Sequence, residues 1–408
     1  MTRLFERERL DVDVLIVGAG IASLSTAFYL SRLLEAAASS GRGPVEKPTI
    51  LVVEKSQEIG GHILSGAVVD PRPINALISG LDVPTPPYDS PVTSEAVYYL
   101  TKNRSLKSPL VPPPLRNHGN YVAALGDLVR WLAELCMERG VEIYPGFPAV
   151  QLLFDGDRVI GARLGDQGRD RRGRGRENYE PGMEVRARVT VLGEGPQGTL
   201  TGQAIRRLNL AREAQPQVYS IGVKELWKVK KPVPPGLVIH TLGYPLRSEE
   251  FGGGFLYAMK ENRVHLGLVL GLDYRDPEID SHRMLQKLKL HPLIREKLEG
   301  GEVISYGARV IPEGGYYSIP KTYSDGLLII GDSAGLLNSQ RLKGIHLAVQ
   351  SGILAGQTIF EGLEMNDFSE DHLALYWRRF DRGWAGEEMR RVRNFRQGFQ
   401  EGFWPGMI

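Results

Sequence analysis

The sequence predicts an α/β chain in which a discontinuous Rossmann-like nucleotide-binding domain is interleaved with a second, α+β domain containing an antiparallel sheet. Three observations predict it. The stretch DVDVLIVGAGIASLSTAFYL, at the start, joins an apolar strand to a long helix through a glycine turn. A second strand-to-helix passage, GLLIIGDSAGLLNSQRLKGIHLAVQSG, stands near the other end. Between them, short apolar segments bounded by glycine and proline read as strands of another sheet.

In the first stretch Val12, Val14, Leu15, Ile16 and Val17 suit a buried parallel strand. Gly18, Ala19 and Gly20 make the turn. A missing Cβ there lets backbone N–H groups approach a pyrophosphate at the N-terminus of the next helix. Ser23 stands where the fingerprint's third glycine usually sits and is small enough for helix–strand packing. The helix is expected from about residue 21 to 38, and the next strand over 49–53. Glu54 ends that strand, where a carboxylate accepts from both ribose hydroxyls; the spacing exceeds the usual ~20 residues because helix and loop are long. Lys55, Gly61, His62 and Ser65 follow in a glycine-rich loop as further candidate cofactor contacts. His62 reads equally as a capped or packed histidine.

The second stretch repeats the logic, with a strand over 327–330 ending in Gly331-Asp332. Asp332 is placed to accept from a ribityl hydroxyl; taken alone it also reads as a turn or helix-cap residue. The helix starting near Lys343-Gly344 would turn its positive end toward a flavin and stabilise the reduced ring's negative charge. Asn338, Arg341 and Lys343 are candidates for the ring edge. The two ends together imply one FAD stretched between them, and hence an oxidoreductase.

Composition agrees with two packed domains, at 408 residues, 42% hydrophobic and 24% charged. A net charge of +2 gives no pull toward nucleic acid, and the basic run over 169–176 reads as a solvated hairpin loop. The charged N-terminus MTRLFERERLD predicts no secretory signal. No stretch approaches the roughly 18 apolar residues of a membrane span. The single cysteine, Cys136, excludes from this chain an internal disulfide, a redox-active pair and a cysteine-ligated cluster. It falls among Leu128, Trp131, Leu132 and Leu135 on a helix expected over 123–139, so it reads as a packing residue.

Between the motifs, 150–154 and 159–163 read as a hairpin, and 185–192 as a strand running into Glu194-Gly195, a third turn that approaches the dinucleotide. Antiparallel strands are expected over 218–225, 236–242, 254–259 and 263–272. The expected division assigns 1–70, 120–204 and 321–408 to the FAD domain and 71–119 and 205–320 to the other.

Longer segments carry a family resemblance. EKSQEIGGHILSGAVVDP, VPPPLRNHGNYVAALGDLVRWLAE, GVKELWKV, GGGFLYAMKENRVHLGLVLGLDY, HPLIREKLEGGEVISYGARVIPEGG and SAGLLNSQRLKGIH resemble electron-transfer flavoprotein–ubiquinone oxidoreductase over nearly the whole chain. The resemblance implies FAD, a quinone-binding second domain, a 4Fe–4S cluster, electron-transfer flavoprotein as donor and membrane quinone as acceptor. It implies a peripheral, monotopic position on the inner face of the cytoplasmic membrane, or on the inner mitochondrial membrane in a eukaryote. Ile21 and Ser23 replace the family's usual Pro and Gly, and Asp332 stands where members often have cysteine. The family's cysteine-rich segment has no counterpart here, so either the flavin–quinone part works in shortened form or a separate ferredoxin-like partner supplies the cluster.

Gly252 and Gly253, in Phe251-Gly252-Gly253-Gly254-Phe255, match the family's quinone-contacting pair; from spacing alone they read as a tight turn. Tyr98, Tyr99, Leu100, Leu106, Leu110, Val111 and prolines 112–114, with Phe399, Phe403, Trp404, Pro405 and Met407, form an expected apolar patch. Lys102, Arg104 and Lys107 stand ready for anionic head groups. The same patch could instead pack against a further domain. Two other activities stay open: an FAD-dependent reductase or hydroxylase of a lipid-like substrate, similar to geranylgeranyl reductases, and a non-catalytic flavin-bound subunit. No general acid or base and no metal ligand is assigned.

Overall fold

The first strand, Arg9–Val17, lies inside the larger of two main sheets in the computed structural model, which describes residues 7–41, 46–63 and 66–399. Five parallel strands run in the order Leu327–Ile329, Glu184–Leu192, Arg9–Val17, Ile50–Glu54 and Glu142–Pro145. The apolar side chains of the inner strands are buried on both faces, as parallel strands covered by helices require, while the edge strand Glu142–Pro145 is half exposed. The chain leaves the first strand toward one neighbour and returns later on the other side. That reversal opens a crevice at the strands' C-terminal ends. The hairpin Ala149–Asp155/Arg158–Leu164 joins the sheet through antiparallel pairing of 161–163 with 184–186.

Helices Ile21–Ser39 and Ile345–Met365 pack against each other and bring the two ends of the sequence together. Their seam demands small residues. A Cβ at Gly352 would lie 2.4 Å from the Ala22 carbonyl oxygen, and one at Gly356 2.9 Å from that of Thr26. Any side chain there would push the backbones apart. Helix Leu125–Glu138 closes the same core; Cys136 is fully buried in it, with Sγ 3.4 Å from the Leu24 carbonyl oxygen. Burial pushes its thiol well up, so packing is its role. This helix begins two residues later than expected because Tyr121–Ala123 is a strand, pairing with Ala67–Val69 and Tyr88–Pro91.

The second main sheet has seven strands, in the order Glu302–Pro312, Tyr219–Lys228, Arg263–Gly271, Gly252–Met259, Leu237–Gly243, Ser94–Leu100 and Ser105–Lys107. It is antiparallel except where Leu237–Gly243 and Ser94–Leu100 run parallel. One face packs Phe255, Tyr257, Val238 and Val269 against Val68 and Val122 of the small three-stranded sheet and against Ala124, which follows it. That small sheet takes strands from both sides of the boundaries expected near residues 70 and 120.

The expected apolar patch is altered. Leu100 is core, at 1% exposure, while Leu106 and Leu110 stand out at 60% and 73% beside exposed Lys102, Arg104 and Lys107. Phe399 packs edge-on to Phe251, with ring centroids 5.4 Å apart; residues 403–407 lie outside the described residues. No helix among the described residues is long and apolar enough to cross a membrane. The basic run forms an exposed ribbon, Gln167–Arg169 with Gly175–Glu180.

Candidate functional site

A cavity of about 520 Å³ lies where the crevice of the parallel sheet meets the second sheet. Gly18, Gly20, Glu54, Lys55, His62, Glu194, Gly195, Asp332, Lys343 and Gly344 all line it. Two helices begin on it, Ile21–Ser39 after Gly20 and Ile345–Met365 after Gly344. Among the described residues no side chain caps either one. Two open helix ends on one cavity offer unpaired N–H groups and positive potential to negative ligand groups.

The glycine turn works through backbone shape. Gly18 holds φ +93°, and a Cβ there would sit 2.6 Å from the Gly193 carbonyl oxygen. Glu54 is fixed at the strand end by the amides of Ala19 and Ser56, each at 2.8 Å. Glu194 is occupied differently. Its carboxylate accepts from the Leu200 amide, the Thr201 amide and the Thr201 hydroxyl, at 3.2, 2.8 and 2.9 Å, and so caps helix Thr199–Arg207. The cap leaves Gly195, at φ +86°, to present backbone to the cavity.

Ser23, Gly61, Gly331 and Asn338 stand outside the lining. Ser23 is fully buried against Gly193. Gly331 permits close approach to Ala22, where a Cβ would be 2.9 Å from that residue's own. The His62 side chain is exposed at the rim, and its carbonyl oxygen accepts from the Arg309 guanidinium. Ser65 lies outside the described residues.

The 338–343 loop depends on a residue that the sequence did not mark. The amides of Asn338 and Lys343 donate to each other's carbonyl oxygens at 3.0 and 3.2 Å, and Asn338 Oδ1 accepts from the Arg341 amide at 3.1 Å. Glu388, on helix Trp384–Arg391, clasps this loop from behind. It accepts from Asn338 Nδ2 at 2.7 Å and Arg341 Nη1 at 3.2 Å, and it contacts His346 Nε2 at 2.8 Å. Burial works against its charge, yet these partners prevail and hold the carboxyl down at about 2. A lone glutamate on an amphipathic helix carries no motif; only folding reveals its partners. Glu388→Ala strands buried donors, each costing about 1–3 kcal/mol. Cofactor affinity is expected to fall about tenfold or more, read from the dissociation constant, with partial recovery in Glu388→Gln.

Other charges in the lining are tuned by enclosure. Lys343 and Lys224 are each pushed down to about 8 by burial, and Lys224 Nζ donates to the Gly66 carbonyl oxygen at 2.9 Å. Asp332, between this cavity and a smaller one of about 350 Å³, is pushed up to about 6 by burial.

Gly252 and Gly253 sit in a strand, not a turn, paired with Leu270 and Val269. They are outside the cavity lining, but Val269 belongs to it. The sheet requires both glycines: a Cβ would lie 2.1 Å from the Val269 carbonyl oxygen at Gly252 and 2.6 Å from that of Thr241 at Gly253. The preceding Phe251 lies under the Arg396 guanidinium, 4.2 Å from the ring centroid.

Comparison with known proteins agrees with this layout. Residues 219–311 match the family described as ETF-QO, ubiquinone-binding, and residues 16–85 the NAD(P)-binding Rossmann-like domain. The chain is 43% identical over 396 residues to electron transfer flavoprotein-ubiquinone oxidoreductase of Pseudomonas aeruginosa, covering 96% of this chain and 71% of that protein. Against the mitochondrial proteins of Dictyostelium discoideum and Homo sapiens identity is 42% and 40%, covering 97% and 99% of this chain and 66% of each relative. The chain thus spans about two thirds of the length of the curated relatives it matches. Among solved structures, a geranylgeranyl bacteriochlorophyll reductase-like protein of Thermoplasma acidophilum superposes with TM-score 0.72 at 19% identity, covering 98% of this chain and 89% of that one. A flavin-dependent brominase superposes with TM-score 0.62 at 16% identity, covering 97% and 88%. These two show likeness of fold.

Proposed function

The chain belongs to the electron-transfer flavoprotein–ubiquinone oxidoreductase family, and on that premise we propose that its 408 residues hold one FAD and pass its electrons to a membrane quinone. The observation that carries this reading is the single cavity on which two uncapped helix ends and the second sheet converge. Bound there, the flavin supplies two-electron redox chemistry. Gly18, Gly20 and the start of helix Ile21–Ser39 receive its pyrophosphate, and Glu54 its adenosine ribose. Asp332 accepts from the ribityl chain, while Lys343 and the open end of helix Ile345–Met365 bring positive potential to the ring. The glycine pair Gly252–Gly253, one strand from Val269 in the cavity wall, presents bare backbone to the quinone.

Leu106 and Leu110, flanked by Lys102, Arg104 and Lys107, form the membrane-facing edge, apolar at its tip and basic around it. Electrons reach the flavin from electron-transfer flavoprotein, with an iron–sulfur group outside these residues as the intermediate carrier.

The test is direct. Purified protein should be yellow, release FAD on denaturation, and, after chemical reduction without oxygen, be reoxidised rapidly by a short-chain quinone. Release of FMN alone, or a reduced flavin indifferent to quinone, would sink the proposal.

A further inference from the structure

Glu313 follows directly on the last strand of the second sheet and lines the cavity. It is completely buried. One carboxyl oxygen, Oε2, accepts from the Ser220 hydroxyl. The other, Oε1, has no hydrogen-bond partner among the described residues. A carboxyl left half-satisfied in a sealed position is costly unless it serves something, and it favours the neutral acid.

Its place in the sheet gives it a task. Its hydrogen-bond partner Ser220 pairs with Gly271 on the strand that in turn pairs with Gly252 and Gly253. One sheet thus carries both the carboxyl's anchor and the glycine pair, two strands apart, while the carboxyl itself lines the flavin cavity. The charged groups that face it are few. Arg396, from helix Phe395–Gly398, favours its ionised form; Asp273, paired with that arginine, opposes it. Burial outweighs both and pushes the carboxyl up to about 7.

We propose that Glu313 is the redox-linked proton carrier of this site, taking up a proton when the bound flavin is reduced and releasing it when quinone is reduced. The inference rests on the flavin–quinone reading above. Reduced flavin beside two cationic lysines and a helix N-terminus keeps a negative charge and holds one transferable proton. That charge raises the affinity of a neighbouring carboxylate for a proton, so Glu313 becomes neutral on reduction. Reduction of quinone to quinol consumes two electrons and two protons. The reduced flavin gives both electrons and one proton; the Glu313 O–H bond breaks to give the other, leaving a carboxylate that accepts from the Ser220 hydroxyl and is favoured by the charge of Arg396.

The experiment uses the full chain loaded with FAD. Its flavin midpoint potential is followed between about pH 6 and pH 8.5, with infrared difference spectra of the oxidised and reduced protein. Above about pH 7, where the oxidised site holds Glu313 as a carboxylate, the native chain should show a slope of two protons per two electrons and a protonated-carboxyl band should appear on reduction; below that pH the slope should fall toward one. Above that pH, Glu313→Gln should show one proton per two electrons and lose the band. Ser220→Ala, which removes one hydrogen bond only, should shift the band's frequency and serves if Glu313→Gln fails to fold. An unchanged slope in Glu313→Gln, or a band indifferent to both Glu313→Gln and Ser220→Ala, would overturn the proposal while the flavin reading stands. A chain that binds no flavin overturns both.

Discussion

Gly18→Val will yield a colourless protein. The residue holds φ +93°, where a β-branched side chain is strained, and its Cβ would press within 2.6 Å of the Gly193 carbonyl oxygen. The backbone strain alone costs on the order of 1–3 kcal/mol. Relief requires the first strand and the 193–195 turn to separate, which would dismantle the proposed pyrophosphate cradle. Gly20→Ala is the comparison, since its added Cβ would meet the Gly193 carbonyl oxygen only at 3.9 Å, an ordinary contact. We expect native-like circular dichroism with no bound flavin for the valine variant, and weakened but measurable binding for the alanine variant. Flavin content in Gly18→Val equal to the native chain's would remove the turn from the site.

The second large effect concerns the electron donor. A 4Fe–4S cluster takes four thiolates, and these 408 residues contain one cysteine, itself fully buried. Iron-free chain mixed with reduced electron-transfer flavoprotein should therefore reduce quinone at background rate. The same chain, chemically reduced, should still deliver electrons to quinone. Adding a ferredoxin-like protein that bears the cluster should restore the complete path, followed as donor reoxidation in a stopped-flow trace. Full donor-to-quinone turnover by the iron-free chain alone would show the cluster to be dispensable.

Local rules made much of this legible. Hydrophobic runs of the right length, broken at Gly18-Ala19-Gly20, Glu54 and Gly331-Asp332, mark where parallel strands end at the cavity. Those signals are short-range, because strand burial, turn geometry and helix starts depend on neighbouring residues. Cys136 among leucines was readable for the same reason. The glycine pair was not, since nothing local tells a turn from a strand whose neighbours leave no room for a Cβ. Leu100 looked like surface until its strand paired with Leu237–Gly243 and took it into the core.

The order of strands, the glycine turn and the acid at the strand's end follow from residue chemistry along the chain, and with them the class of fold and the class of ligand. Which distant groups meet was decided by packing. The small-residue seam between Ile21–Ser39 and Ile345–Met365 draws the two ends together, and Glu388 reaches the 338–343 loop and His346 only because its own helix folds back over them. Glu313 gains its raised proton affinity from burial, a property of the surroundings that no window of sequence contains. Desolvation and contact are set by what lies across space, so these features exist only once the chain has closed on itself.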